Sequence, residues 1–218
     1  MSKKKKKIHL PIQTIGEEIA NGIIHGIGIA LSITALVLLV VFASQRGNAW
    51  QIVSFSIYGA TLIILYLFST LYHSFNNKKV KEFFRLFDYA SIYLLIAGTY
   101  TPVTLTVLRG PLGWSIFGVI WGLAILGVVK QFVFFHKFWG FSVITYLIMG
   151  WLIVFVIKPL ISEVPFMFFM WMLVGGLSYT LGIIFFIWDK LPFNHSVWHL
   201  FVLGGSISHF FGFLFYLI

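Results

Sequence analysis

Two histidines stand four residues apart in His195-Ser196-Val197-Trp198-His199, just ahead of the last apolar run of the chain. On a helix this spacing puts both imidazoles on one face, about 6 Å apart, close enough to grip one metal ion. Zinc-protease helices use the same spacing but carry a glutamate after the first histidine. Ser196 stands there instead, so that mechanism is excluded while the ligand geometry is kept. A third imidazole is available at His73, with Ser69 one helical turn before it, and a carboxylate at Asp88. Three imidazole nitrogens suit a tetrahedral zinc site whose fourth position holds water, and zinc lowers the pKa of such water to near 7. Asp88 would then take or orient the proton of that water, and Ser69 would hydrogen-bond a ligand imidazole or the water. The plainer reading is a wet helix end, with the histidines packed at the membrane boundary and Asp88 capping a helix N-terminus. Both readings fit the residue types.

The elements that must position these side chains follow from composition. Of 218 residues, 60% are hydrophobic and 10% charged, and the mean hydropathy is +0.98. A soluble domain is about half apolar and about a quarter charged. Seven apolar runs are long enough to cross a bilayer, at about 22–44, 50–73, 88–107, 114–134, 139–157, 165–187 and 197–217. Backbone groups in hydrocarbon must satisfy one another, and the alternating ten-residue segments of a barrel are absent, so the runs are expected to be helices. The expected fold is all-α: residues 1–21 form a basic N-terminus with a short interfacial helix from Pro11 to Glu18, and 22–218 a single seven-helix transmembrane domain. The first run exceeds 20 residues, too long for the apolar region of a signal peptide, and is expected to stay as a span. There is no cysteine, hence no disulfide or thiolate site.

The net charge of +9 does not point to nucleic acid, because the basic residues flank the apolar runs. With the N-terminus inside, twelve fall on inner segments (Lys3 to Lys7, Lys78, Lys79, Lys81, Arg85, Lys130, Lys137 and Lys190) and three outside (Arg46, Arg109 and Lys158). That bias orients the N-terminus to the cytoplasm and the C-terminus outside, in the cell membrane. The connections 2–3 and 6–7 both leave an even-numbered span, so they lie on one side of the membrane. His73, Asp88, His195 and His199 therefore share one depth, near the cytoplasmic face.

The segments "EEIANGIIHGIG" at 17–28, "FSTLYHSF" at 68–75, "FRLFDYASIYLLIAGTYTP" at 84–102 and "HSVWHLFVLGGSISHF" at 195–210 resemble the hemolysin III family. This is the bacterial branch of the progestin and adipoQ receptor superfamily. The resemblance covers nearly the whole chain, and the Ser-x3-His, the aspartate of the third span and the His-x3-His fall in order. It implies a seven-helix bundle with a zinc ion near the cytoplasmic face. His73, His195 and His199 match the ligands, and Asp88 and Ser69 the residues beside the metal.

Three activities follow as expectations. The first is a zinc hydrolase attacking an amide or ester of a membrane lipid, the receptor branch being associated with ceramide-like amide hydrolysis. The others are a membrane-perturbing or pore-forming protein, as the family name implies, and a regulator of membrane lipids with zinc as a clamp between spans 2 and 7. The spans carry few polar residues to line a water-filled pore.

Deeper in the bundle, His209 lies ten residues past His199, about 15 Å further along the helix and on nearly the same side. A histidine there is either functional or a hydrogen-bonded packing residue. His25, in the first span, either packs or lines the same cavity. His9 and His136 fall in basic inner segments and are expected to be solvated. Tyr100 to Pro102 is expected to break or kink the third helix. The pairs Gly175-Gly176 and Gly204-Gly205 are expected to permit close helix approach.

Overall fold

A computed structural model describes residues 13–134 and 139–218. His9, His136, Lys137 and the Lys3–Lys7 run lie outside the described residues. Among the described residues eight α-helices follow in order: α1 (Ile15–Arg46), α2 (Ala49–Ser74), α3 (Lys78–Pro102), α4 (Pro111–Phe134), α5 (Trp139–Trp151), α6 (Ile157–Glu163), α7 (Phe166–Phe186) and α8 (Asn194–Tyr216). A five-residue π-helical stretch, Val103–Val107, prolongs α3, and a 3-10 stretch, Leu152–Val156, joins α5 to α6. Among the described residues seven units are long and apolar enough to cross a membrane, α5 and α6 together forming the fifth. The protein is a multi-pass membrane protein.

Caps, more than hydropathy, decide where the helices begin. Thr14 and Glu17 form a reciprocal capping box at the start of α1, so Glu17 and Glu18 belong to the first turn of the first span. Of the segment expected as a short interfacial helix from Pro11 to Glu18, residues 15–18 belong to α1 and 13–14 are non-helical, while 11 and 12 lie outside the described residues. Asn77 caps α3 at Lys78, ten residues before Asp88. Asp88 therefore sits in the body of the helix, and the capping role considered for it is not the one it has.

Polar and small residues turn inward while large apolar ones meet lipid. On α1 the buried stripe is Asn21, His25, Gly28, Ser32, Ala35, Leu39 and Ala43, spaced three and four apart. The opposite face exposes Ile19, Ile23, Ile27 and Leu31. Helices α1 and α2, α2 and α3, and α7 and α8 pack side by side, and α1 also meets α8. Several buried hydroxyls are satisfied within their own helix, as Thr101 Oγ1 donates to the Ala97 carbonyl at 2.8 Å.

Pro102 does not break the third span. The chain widens after it instead, and the Leu108 N–H reaches the Val103 carbonyl five residues back. Tyr100, expected at a break in its own helix, supports one in the fifth span. Its hydroxyl lies 2.9 Å from the Met149 carbonyl and accepts the Ile153 N–H at 2.8 Å, replacing helical bonds lost at the 3-10 stretch. Of the glycine pairs, Gly175 and Gly205 mark close approaches. A Cβ at Gly175 would come within 2.3 Å of the His209 ring, and one at Gly205 within 2.8 Å of Tyr179.

Candidate metal centre

The three histidines singled out by spacing converge at the end of the bundle where α1, α3 and α8 begin and α2 ends. One ring nitrogen from each of His73, His195 and His199 lies within 4.8 Å of the others. Ring centroids are 5.1 Å apart for His73–His195, 5.0 Å for His73–His199 and 4.4 Å for His195–His199. His73 Nε2, His195 Nε2 and His199 Nδ1 are buried and make no hydrogen bond to any of the described residues. Three converging lone pairs with no partner are costly unless a cation accepts them. The donor set therefore fits a metal ion: three neutral nitrogens, with neither thiolate nor carboxylate among them.

Asp88 and Ser69 line the cavity that opens beside His195 and His199. Ser69 is the hydroxyl neighbour of the Asp88 carboxyl, and both residues are buried. The Ser69 hydroxyl makes no hydrogen bond to a ligand imidazole. It faces the cavity side of the centre with Asp88. The five residues expected to act together are thus brought together: His73 and Ser69 from α2, Asp88 from α3, and His195 and His199 from α8.

The first helix supplies an outer layer that spacing alone did not reveal. Glu18 Oε2 takes His73 Nδ1 at 2.7 Å, and its other oxygen holds Lys81 Nζ at 2.6 Å. A carboxylate on Nδ1 fixes the tautomer that frees Nε2 and raises the basicity of the ring. One turn on, Asn21 receives the Ser196 hydroxyl on Oδ1 at 2.6 Å and donates from Nδ2 to Gln13 at 2.9 Å. Its backbone also meets the His199 ring. His25 stacks on His199 with centroids 3.6 Å apart and 11° between planes, and Tyr66 meets His25 edge-on at 4.9 Å. Glu17 reaches the entry of α8, accepting the Phe193 N–H at 2.9 Å, where Phe193 has a left-handed backbone (φ 56°). That bond helps hold a strained residue two positions before His195. The signal that could have found this layer is the Glu18, Asn21, His25 series, three polar residues on one stripe of an apolar helix.

The sequence matches the family described as Haemolysin-III related over residues 13–210. The chain belongs to this haemolysin-III related family. It is 52% identical to "Hemolysin-3" of Bacillus cereus over 206 residues, 94% of each chain. It is 49% identical to "Hemolysin-3 homolog" of Bacillus subtilis, over 94% of this chain and 96% of that one. A more distant relative is "Monocyte to macrophage differentiation factor" of Homo sapiens, 30% identical over 91% of this chain and 83% of that one. The match spans every element of this haemolysin-III related centre, from Glu17 in α1 to His199 in α8.

From the metal end a cavity of about 240 Å³ runs between α3, the fifth span, α7 and α8. Its lining includes Asp88, Ser69, His25, His195 and His199 and also Leu160 in α6 and Phe169 in α7. Its walls are overwhelmingly aliphatic and aromatic, the character of a site for an apolar chain.

Proposed function

We propose that this haemolysin-III related protein is a zinc-dependent hydrolase acting on an amide or ester of a membrane lipid. The site would lie near the cytoplasmic face of the plasma membrane, with the N-terminus inside. The observation that carries the reading is the juxtaposition of three unpartnered imidazoles with Asp88 and Ser69 at the head of an apolar cavity. Zinc held by His73, His195 and His199 would supply a Lewis acid for the carbonyl and lower the pKa of water.

The chain's own residues do the rest. The cavity takes the acyl chain and so fixes the scissile carbonyl beside the imidazoles. Asp88 accepts a proton from the attacking water and returns it to the leaving amine or alcohol, so that one water is consumed and no charge is left behind. Ser69, whose hydroxyl has no partner among the described residues, hydrogen-bonds the attacking water beside Asp88. Glu18 and Asn21 hold the ligand rings in place.

The test is fatty-acid release from a lipid amide by purified, zinc-loaded protein. Asp88→Asn is expected to retain zinc and lose release. Undiminished release by Asp88→Asn, or no zinc in wild-type protein, would overturn the reading. The name of the Bacillus relatives raises membrane lysis as the other reading, with zinc as a clamp between spans 2 and 7. An apolar cavity does not support a water-filled path, and lysis predicts dye leakage from liposomes that survives His73→Ala.

A further inference from the structure

His209 is a polar group in an apolar chamber. It lies on α8, ten residues beyond His199 and thus about 15 Å further from the metal ligands along the helix axis. It is 8% exposed and lines the same cavity as Asp88 and His199. Its Nε2 lies 3.1 Å from the Met172 carbonyl, which can only accept, so Nε2 carries the hydrogen. The neutral ring is then left with a bare lone pair on Nδ1, and Nδ1 is buried with no hydrogen-bond partner among the described residues. The bond to the Met172 carbonyl holds the ring in this orientation. Its Cδ2 and Nε2 edge fills the space at Gly175, where a Cβ would come to 2.3 Å.

The neighbouring hydroxyls are already engaged. Tyr66 and Tyr179 both bond Ser206 Oγ at 2.8 Å, Ser208 donates to the Trp171 carbonyl at 2.8 Å, and Thr180 to the Gly176 carbonyl at 2.8 Å. A buried water needs two to four polar partners, and few are open here. What the site lacks is a hydrogen-bond donor brought in on something otherwise apolar.

We propose that His209 recognises a hydroxyl on the bound acyl chain, so that the preferred ligand is a hydroxylated acyl lipid with its hydroxyl well down the chain. The inference rests on the acyl-chain reading of the cavity given above. The hydroxyl donates to His209 Nδ1 while Nε2 keeps its bond to Met172. The apolar walls on either side reject a hydroxyl elsewhere on the chain.

The experiment measures binding, which needs no turnover. Purified zinc-loaded protein in detergent is titrated with octadecanoic, 12-hydroxyoctadecanoic and 2-hydroxyoctadecanoic acids. One hydrogen bond formed in an apolar cavity predicts a gain of about two- to tenfold for the 12-hydroxy acid over the unsubstituted one. The 2-hydroxy acid, whose hydroxyl stays near the carboxyl, gains nothing through His209. His209→Phe erases the preference. His209→Gln, which can donate to Met172 and still offer an acceptor, restores part of it. Equal affinities for the three acids in wild-type protein overturn the inference and leave the acyl-chain reading standing. A preference that persists in His209→Phe also overturns it. Failure of all three to bind overturns the acyl-chain reading as well.

Discussion

Glu18 gives the sharpest test of the centre, because it touches the candidate ligands through one bond only. Its carboxylate grips His73 Nδ1 at 2.7 Å, with the His73 side chain fully buried and Glu18 16% exposed. Removing such a partner from a ligand histidine lowers metal affinity about 10- to 100-fold, which is roughly 1.4–2.7 kcal/mol. Two substitutions bracket the effect. Glu18→Gln keeps an oxygen that can accept from Nδ1 but loses the charge, and is expected near tenfold. Glu18→Leu removes the acceptor, leaves Nδ1–H buried and unpaired, and is expected near a hundredfold. Lys81 is freed in both, but at 23% exposure it can turn to water, so its contribution is small. The assay is competition for zinc between purified protein and a chromophoric chelator, with fold monitored by circular dichroism and elution volume. Lys81→Met serves as the control that loosens Glu18 without touching His73. If Glu18→Leu holds zinc as tightly as wild type while folding normally, the carboxylate does not orient the ligand and the outer layer assigned to α1 is wrong.

Three further outcomes follow from the packing. Ser196→Ala strands the Asn21 Oδ1 acceptor, whose hydroxyl partner lies at 2.6 Å, and is expected to destabilise by about 1–3 kcal/mol in a thermal melt. Gly175→Ala drives a methyl into the His209 ring at 2.3 Å and is expected to cost about 1–3 kcal/mol, with the same melt as readout. Zinc that binds the folded chain alone is expected to raise the melting temperature, by about 2.7 kcal/mol of stability at a free concentration 100-fold above Kd, and His195→Ala is expected to abolish the rise.

The spans and the residues that meet across them were legible in the sequence for different reasons. Apolar run length marks a bilayer crossing, because hydrocarbon thickness sets the count, and all seven runs correspond to helical spans. Span parity then places His73, Asp88, His195 and His199 at one depth without any knowledge of packing. What it cannot supply is side-chain contact between spans. Glu18 reads as the polar side of a surface segment because run counting discards residues before the first apolar stretch, although a capped helix carries them into the bundle. Asn21 is silent for the same reason, since its partner Ser196 is 175 residues away. Pro102 misleads in the other direction. Proline rules predict a break from the missing N–H, whereas the helix absorbs the loss by widening for five residues.

The charges around the centre bear on whether a metal there would merely clamp spans 2 and 7. A clamp needs the three imidazoles and nothing on the cavity side. Yet Asp88 stands buried on that side and forms no ion pair among the described residues. Placing a carboxylate at such a depth is expensive without a counter-charge. Glu18 lies on the other side of His73, where it also meets Lys81. A dication held by three neutral imidazoles would bring two positive charges, of which Asp88 offsets one. The charge left over would face the head of the apolar cavity, beside Ser69, where a lipid carbonyl would lie on the proposed reading. It favours negative charge building on that carbonyl over the resting carbonyl itself. Such an imbalance would serve the hydrolase proposed above, whereas a structural clamp would not need it.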